Sequence, residues 1–158
     1  MTKEELAFSL TRKQSSPSYG HQYLTDYPDG RYVGQVTSRL KKTYWKQARR
    51  ASEREDLFEL DRVFNEIRDH MSDENLIRRV KRLLAELHFQ KAEAISETTG
   101  DEAKVAKRHY RAYLKLLPNG PRAEECQDQL DFIGGKGKMD GLMKRNKSRV
   151  DKMMNMEF

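Results

Sequence analysis

The chain has 158 residues, which corresponds to one ordinary domain or to three or four small repeat units. Only 36% of the residues are apolar and 35% are charged, so a single large globular core is not expected. Six Phe, seven Tyr and one Trp are nevertheless too many aromatic residues for a disordered chain. Pro and Gly are scarce, whereas Glu, Lys, Arg, Leu and Ala are abundant, and this composition predicts an all-α fold.

The positive charge of the chain is concentrated in its C-terminal residues. The net charge is +6, and residues 134–158 alone contain seven basic and three acidic residues. The rest of the chain is nearly balanced, so the total charge is a weak indication of nucleic-acid binding. Cys126 is the only cysteine, which excludes an internal disulfide. With no apolar signal sequence and no stretch apolar enough to span a membrane, the sequence predicts a soluble, cytoplasmic protein.

Apolar residues recur at helical spacing along most of the chain. They predict helices near 2–13, 17–27, 30–51, 53–71, 73–97, 101–117 and 120–133, and a last helix at 139–156. Start and stop signals accompany these boundaries, namely capping boxes at Thr2 with Glu5 and Ser52 with Glu55, first-turn prolines at Pro17 and Pro121, and a helix-ending glycine at Gly100.

Two segments of the chain are similar at an offset of 90 residues without a gap. They are YLTDYPDGRYVGQVTSRL at 23–40 and YLKLLPNGPRAEECQDQL at 113–130. A divergent middle copy follows the first at an offset of 44, and the same offset aligns Trp45 with Phe89. The chain is therefore predicted to contain three units, at about 1–43, 44–87 and 88–133. Because a helix pair cannot cover its own apolar stripe, we expect Trp45 and Phe89 to be buried between units.

The segments YLTDYPDG and YLKLLPNG resemble bacterial tetratricopeptide-like helical repeats of the Y-L-x-x-Y-P-[DN]-G type. The resemblance covers about 17–133 and is weakest in the middle unit, where IRDHMSDE lacks both Pro and Gly. It implies a right-handed helical-repeat solenoid of about three helix pairs plus a C-terminal helix. It also implies a scaffold that binds other proteins.

Residues of catalytic or metal-binding type form no recognisable pattern. Cys126 aligns with Val36 and Val80, so we expect a core residue rather than a nucleophile. The stretch IGGKGKMDG at 133–141 lacks the spacing of a phosphate-binding loop, and we interpret 134–138 as a Gly-rich hinge. The sequence predicts no enzyme activity, no metal and no cofactor, and scattered surface positions for the histidines, His21, His70, His88 and His109.

The first of three candidate binding surfaces is the outer face of the leading helix of units two and three. In repeats of this type that face lines a groove that often holds peptides or partner helices. A merely solvated face is an equally good interpretation. The residues concerned are Arg62, Asn65, Asp69, Arg108, Arg111 and Lys115.

The second surface is the basic run at 39–50, where phosphate or an acidic protein could bind. Aromatic residues for base stacking are not expected on that face, and solvation alone is the favoured interpretation. Its members are Arg39, Lys42, Lys46, Arg49 and Arg50.

The third surface is the basic, Met-rich segment at 139–158, which has apolar residues near helical spacing. Because methionine adapts to irregular grooves, we interpret it as a separable helix that docks on a partner. Alternatives are a helix that caps the last unit, or contact with an anionic membrane. The docking residues are Met139, Leu142, Met143, Val150, Met153 and Met154.

Taken together, these features predict a non-enzymatic protein–protein interaction scaffold or adaptor within a larger complex. The alternative is a nucleic-acid-associated or ribonucleoprotein subunit that uses the basic run at 39–50.

Overall fold

A computed structural model of the chain describes residues 1–13, 16–133, 149–150 and 152–153. The prediction of an all-α fold is confirmed, since these described residues contain helices and no strand. In this part of the chain no helix has the length and apolarity needed to cross a membrane. The helices are α1 (Lys3–Lys13), α2 (Pro17–Asp26), α3 (Val33–Glu53), α4 (Leu57–His70), α5 (Glu74–Glu93), α6 (Gly100–Leu116) and α7 (Ala123–Ile133).

The chain divides into two compact units, Met1–Leu84 and Ala85–Phe158, and α5 contributes residues to both. In the first unit α1 packs on α2, α2 on α3 and α3 on α4, and in the second α6 packs on α7. The division into three repeat units stays a prediction. The hinge at 134–138 lies outside the described residues, as does most of the helix expected at 139–156.

Each unit has an apolar core. In the first, the largest fully buried side chains are Tyr23, Val36, Tyr44, Leu60, Val63, Ile67, Val80 and Leu84. In the second, Phe89 meets the rings of Tyr110 and Tyr113 edge to face, with centroids 6.2 Å and 6.1 Å away, as its expected burial requires. Cys126 lies in the same cluster, and burial raises the pKa of its thiol to about 12. It is therefore an inert core residue, as expected.

Trp45 is not buried in the way that Phe89 is. Its indole is only partly covered, and the guanidinium of Arg79 on α5 lies 3.9 Å from the ring centroid. Tyr44, Ala48 and Ala51 are the buried residues in that part of α3. The expectation that Trp45 is buried is therefore wrong, since its indole stays partly exposed beside a cation on α5.

The helix boundaries confirm some capping predictions and correct others. Thr2 and Glu5 form a reciprocal capping box, with the Glu5 amide donating to Thr2 Oγ1 at 3.1 Å and the Thr2 amide donating to Glu5 Oε2 at 3.0 Å. Ser52 does not cap a helix, because α3 continues to Glu53. Asp56 caps α4 instead, since its carboxylate accepts a hydrogen bond from the Glu59 amide at 3.0 Å.

The two remaining boundary signals also differ from expectation. Gly100 has φ of +83° and begins α6 instead of ending the previous helix. Glycine tolerates this left-handed conformation without strain. Pro121 lies in the turn that precedes α7, whereas Pro17 occupies the first turn of α2 as expected.

Candidate interaction surfaces

The two copies of the repeated segment form equivalent turns, between α2 and α3 and between α6 and α7. The buried phenol of Tyr23 accepts a hydrogen bond from the Tyr32 amide at 3.0 Å, and that of Tyr113 accepts one from the Arg122 amide at 3.0 Å. The similarity at an offset of 90 residues therefore extends to individual hydrogen bonds. It places α3 and α7 at matching positions after their turns.

Glycine is required in both turns by close packing against the tyrosine. A Cβ added at Gly30 would lie 2.6 Å from the hydroxyl of Tyr23, and one added at Gly120 would lie 2.6 Å from that of Tyr113. The segment between α4 and α5 lacks this arrangement, since Ile67 stands where the tyrosine would be. There, the carboxylate of Asp73 accepts a hydrogen bond from the Leu76 amide at 3.1 Å.

The predicted groove residues on α4 lie in line on its outer face. Arg62 pairs with Glu59 and with Glu66, each at 2.6 Å, and this pairing raises the pKa of its guanidinium. Asn65 donates to Asp61 at 3.3 Å, and Asp69 is exposed. Most charges on this face are therefore balanced within the helix.

Phe58 stands at one end of the same face and is 83% exposed. Sequence reasoning missed it, although the signal was present. Phe58 precedes Arg62 by four residues, which places it on the groove face, whereas the apolar stripe of α4 begins at Leu57. An exposed phenylalanine on a charged helix is a candidate anchor for a partner.

The groove residues on α6 form a different kind of surface. Arg108, Arg111 and Lys115 are all exposed and all basic. They belong to the second unit, whereas Arg62, Asn65 and Asp69 belong to the first. A groove shared by the two sets remains a prediction.

The histidines are paired, which corrects the expectation of scattered surface positions. His21 Nε2 lies 2.5 Å from the hydroxyl of Tyr44, which donates to Glu66 Oε1 at 2.9 Å, and the ring of His70 is 5.1 Å from that of His21. In the other pair, the Nδ1 atoms of His88 and His109 are 3.0 Å apart. The described residues contain no group of three or more side chains that could hold a metal ion.

One histidine in each pair has a lowered pKa. Burial lowers the pKa of His21, and the neighbouring charge of His70 lowers it further. Burial likewise lowers the pKa of His109, assisted by the charges of Lys91 and Arg108. These two rings therefore favour the neutral form, in which a ring nitrogen can accept a hydrogen bond.

The basic patch is open at most of the predicted positions. Lys42, Lys46, Arg49 and Arg50 are exposed. Arg39 is not part of the open surface, since its guanidinium covers the ring of Phe8 at 4.7 Å. This contact could not be foreseen, because it joins α3 to α1.

An aromatic residue borders the basic patch, contrary to expectation. A shallow pocket of about 160 Å³ lies beside Lys42. The ion pair of Lys41 with Asp73, at 2.9 Å, closes one side of it. The lining residues are Lys41, Lys42, Trp45, Asp73, Asn75, Leu76 and Arg79.

The predicted docking segment is described in only two of its six docking positions. Val150 and Met153 are 49% and 61% exposed. Met139, Leu142, Met143 and Met154 lie outside the described residues. Arg149 contacts Glu124 and Asp128 of α7, so the segment touches the body at this residue.

No protein-family model, curated protein or solved structure matches the chain. Function is therefore inferred from the geometry of these surfaces. Four of them present exposed apolar or basic groups, namely the outer face of α4, the basic residues of α6, the patch on α3, and the described residues after position 148.

Proposed function

We propose that the protein is a non-enzymatic adaptor, a tetratricopeptide-like right-handed stack of about three helix pairs whose exposed helix faces bind other proteins in a larger complex. The equivalent turns after α2 and α6 support the repeat architecture. We also propose a cytoplasmic location, with which a single buried, free cysteine is compatible.

The observation that carries the proposal is the exposure of Phe58 in line with the groove residues of α4. Burying a phenylalanine against a partner is worth about 1.5–3 kcal/mol relative to leaving it in water. Binding surfaces commonly combine such an aromatic anchor with a polar surround, which Arg62 and Asn65 supply here. The charges of Arg62 are already balanced by Glu59 and Glu66, so a partner can cover this face without burying an unpaired cation.

The test compares proteins captured by the full chain and by two single variants, Phe58→Ser and Phe132→Ser. Phe132 is the matched control, because it is also an exposed phenylalanine but lies on α7. We expect Phe58→Ser to lose at least one specific partner while its thermal unfolding is unchanged, and Phe132→Ser to keep that partner. Equal capture by wild type and Phe58→Ser would refute the assignment of this face.

A nucleic-acid-associated function is the second candidate, favoured by the position of Trp45 beside Lys42 and Arg79. An aromatic ring flanked by cations is suited to stack a base and to hold its phosphate. Trp45 is the only tryptophan, so its fluorescence reports on this pocket directly.

The corresponding experiment titrates single-stranded RNA and follows Trp45 fluorescence. Binding through the basic patch should weaken steeply between about 50 and 200 mM salt, and it should weaken in Lys42→Gln but not in Lys104→Gln, an exposed lysine on α6. A fluorescence change that is insensitive to salt would exclude this candidate.

A further inference from the structure

Helix α7 has an unusual distribution of charge. It contains four acidic residues, Glu124, Glu125, Asp128 and Asp131, and no basic one. The first two lie in the first turn, where they stabilise the helix by facing the positive end of its dipole. Asp128 and Asp131 lie further along, where the dipole does not favour negative charge. The stability of an isolated α7 therefore does not explain its acidity.

The repeat itself does not require this acidity either. Helix α3 follows the equivalent turn, and at an offset of 90 residues Glu124, Asp128 and Asp131 correspond to Gly34, Ser38 and Lys41. None of these three residues is acidic. The acidic face is therefore not shared with α3, although the turns and the buried positions of the two helices match.

A cation from the C-terminal segment occupies this face. Nε of Arg149 lies 2.5 Å from Glu124 Oε1, and Nη2 lies 2.6 Å from Asp128 Oδ2. Glu124 and Asp128 are four residues apart, so their carboxylates stand one turn apart on one side of the helix. One planar guanidinium bridges both, which a lysine could not do in the same geometry.

The two carboxylates that Arg149 contacts differ in their exposure to water. The side chain of Asp128 is 18% exposed, whereas that of Glu124 is 66% exposed. A carboxylate with so little contact with water needs a cation beside it. The hydrogen bond to Asp128 is also the main cause that raises the pKa of Arg149.

We propose that Glu124 and Asp128 of α7 form a docking surface for the chain's own basic C-terminal segment, which Arg149 holds in place. The composition of the segment fits an acidic surface, since residues 134–158 contain seven basic residues and only three acidic ones. Val150 and Met153 stay largely exposed while Arg149 is bound. The contact with α7 therefore leaves these two apolar side chains open to solvent. This inference does not depend on the adaptor function.

The test measures the exchange of the Arg149 Nε proton with water by NMR in the full chain. Wild type is compared with the double variant Glu124→Gln, Asp128→Asn. The control is Glu125→Gln, which removes one negative charge from the first turn of the same helix, at a residue that contacts Arg122 instead of Arg149. The single variant Glu124→Gln, which also removes one charge, is measured beside it. Because exposed ion pairs are individually weak, we expect the double variant to accelerate exchange about three- to ten-fold, and the control to leave it unchanged.

Two further measurements keep the result unambiguous. Exchange is repeated at low and high protein concentration, since protection that appears only at high concentration would assign the contact to a second copy of the chain. The single variant Arg149→Glu should accelerate the hydrogen exchange of the Val150 backbone amide. A charge swap that adds Glu124→Arg and Asp128→Arg to it should make this exchange slow again. Unchanged exchange in the Gln/Asn variant, or no rescue by the swap, would overturn the proposal.

Discussion

Replacing Gly120 by alanine should destabilise the second unit by about 1–3 kcal/mol. The added Cβ would lie 2.6 Å from the hydroxyl of Tyr113 and 2.8 Å from Cβ of Leu117. Leu117 Cβ is fixed to the backbone, so relief requires movement of the turn that the Gly120 amide closes on the Leu117 carbonyl at 3.1 Å. A displaced Tyr113 hydroxyl would also abandon the Arg122 amide, which it meets at 3.0 Å. The magnitude is that of one part-buried backbone amide left without its acceptor.

The assay is urea unfolding followed by circular dichroism, with wild type, Gly120→Ala, Gly30→Ala and Gly34→Ala in parallel. Gly30→Ala should behave like Gly120→Ala, because its Cβ would meet the Tyr23 hydroxyl at the same distance of 2.6 Å. Gly34→Ala is the control, since it lies within α3 and a Cβ there meets no atom within 4 Å. It should raise stability by up to about 0.5–1 kcal/mol through helix propensity alone. If Gly120→Ala unfolded at the same urea concentration as wild type, the tight packing of the turn would be disproved.

The remaining predictions concern helix packing and protonation. Gly20→Ala and Leu40→Ala should each be destabilising, the second by about 2–5 kcal/mol. The double variant should lose less stability than the sum of the two single losses, because a Cβ at Gly20 would meet Leu40 Cδ2 at 2.7 Å. Additive losses in a urea double-mutant cycle would contradict this contact. The free energy of unfolding should fall as the pH drops from about 8 to about 5.5. The histidines of the unfolded chain bind protons with the normal pKa of 6.5, whereas His21 and His109 of the folded chain have lowered pKa values. Protons therefore bind the unfolded chain in preference over this range. His109→Gln should flatten this slope, and a slope equal to that of wild type would show that His109 does not contribute.

The helices could be predicted from the sequence because their apolar spacing is local information. The boundaries were less certain where two residues compete for one role. Ser52 and Asp56 both suit a helix start, and the structure uses Asp56, since α3 retains helical hydrogen bonds up to Glu53. Such a choice depends on how far the preceding helix can extend, which spacing alone does not determine.

The surfaces were predictable only where exposure follows from helix periodicity. Lys42 and Lys46 are exposed as expected because the opposite side of α3 carries the core stripe. Arg39 shares that helix but is covered by Phe8 of α1, a contact between distant parts of the chain. His88 and His109 meet although 21 residues separate them, and no motif encodes that encounter. Phe58 differs from these residues, because its position on the groove face follows from its spacing to Arg62 and could have been predicted from the sequence.

The hydrogen bond to the buried tyrosine hydroxyl in each repeated turn bears on whether a helix pair can be duplicated. Tyr23 and Tyr113 accept from amides only nine residues further along, so this one hydrogen bond is made within a single helix pair in both turns. A copied pair would carry the donor and the acceptor of that hydrogen bond together. The first turn also uses α1, because Glu4 accepts from the Tyr23 hydroxyl and from the Arg31 amide. The contacts of Arg149 join more distant parts of the chain, since its partners Glu124 and Asp128 are 25 and 21 residues away. Duplicating α7 without its C-terminal segment would remove the guanidinium that Glu124 and Asp128 share, so this helix depends on residues beyond the repeated segment.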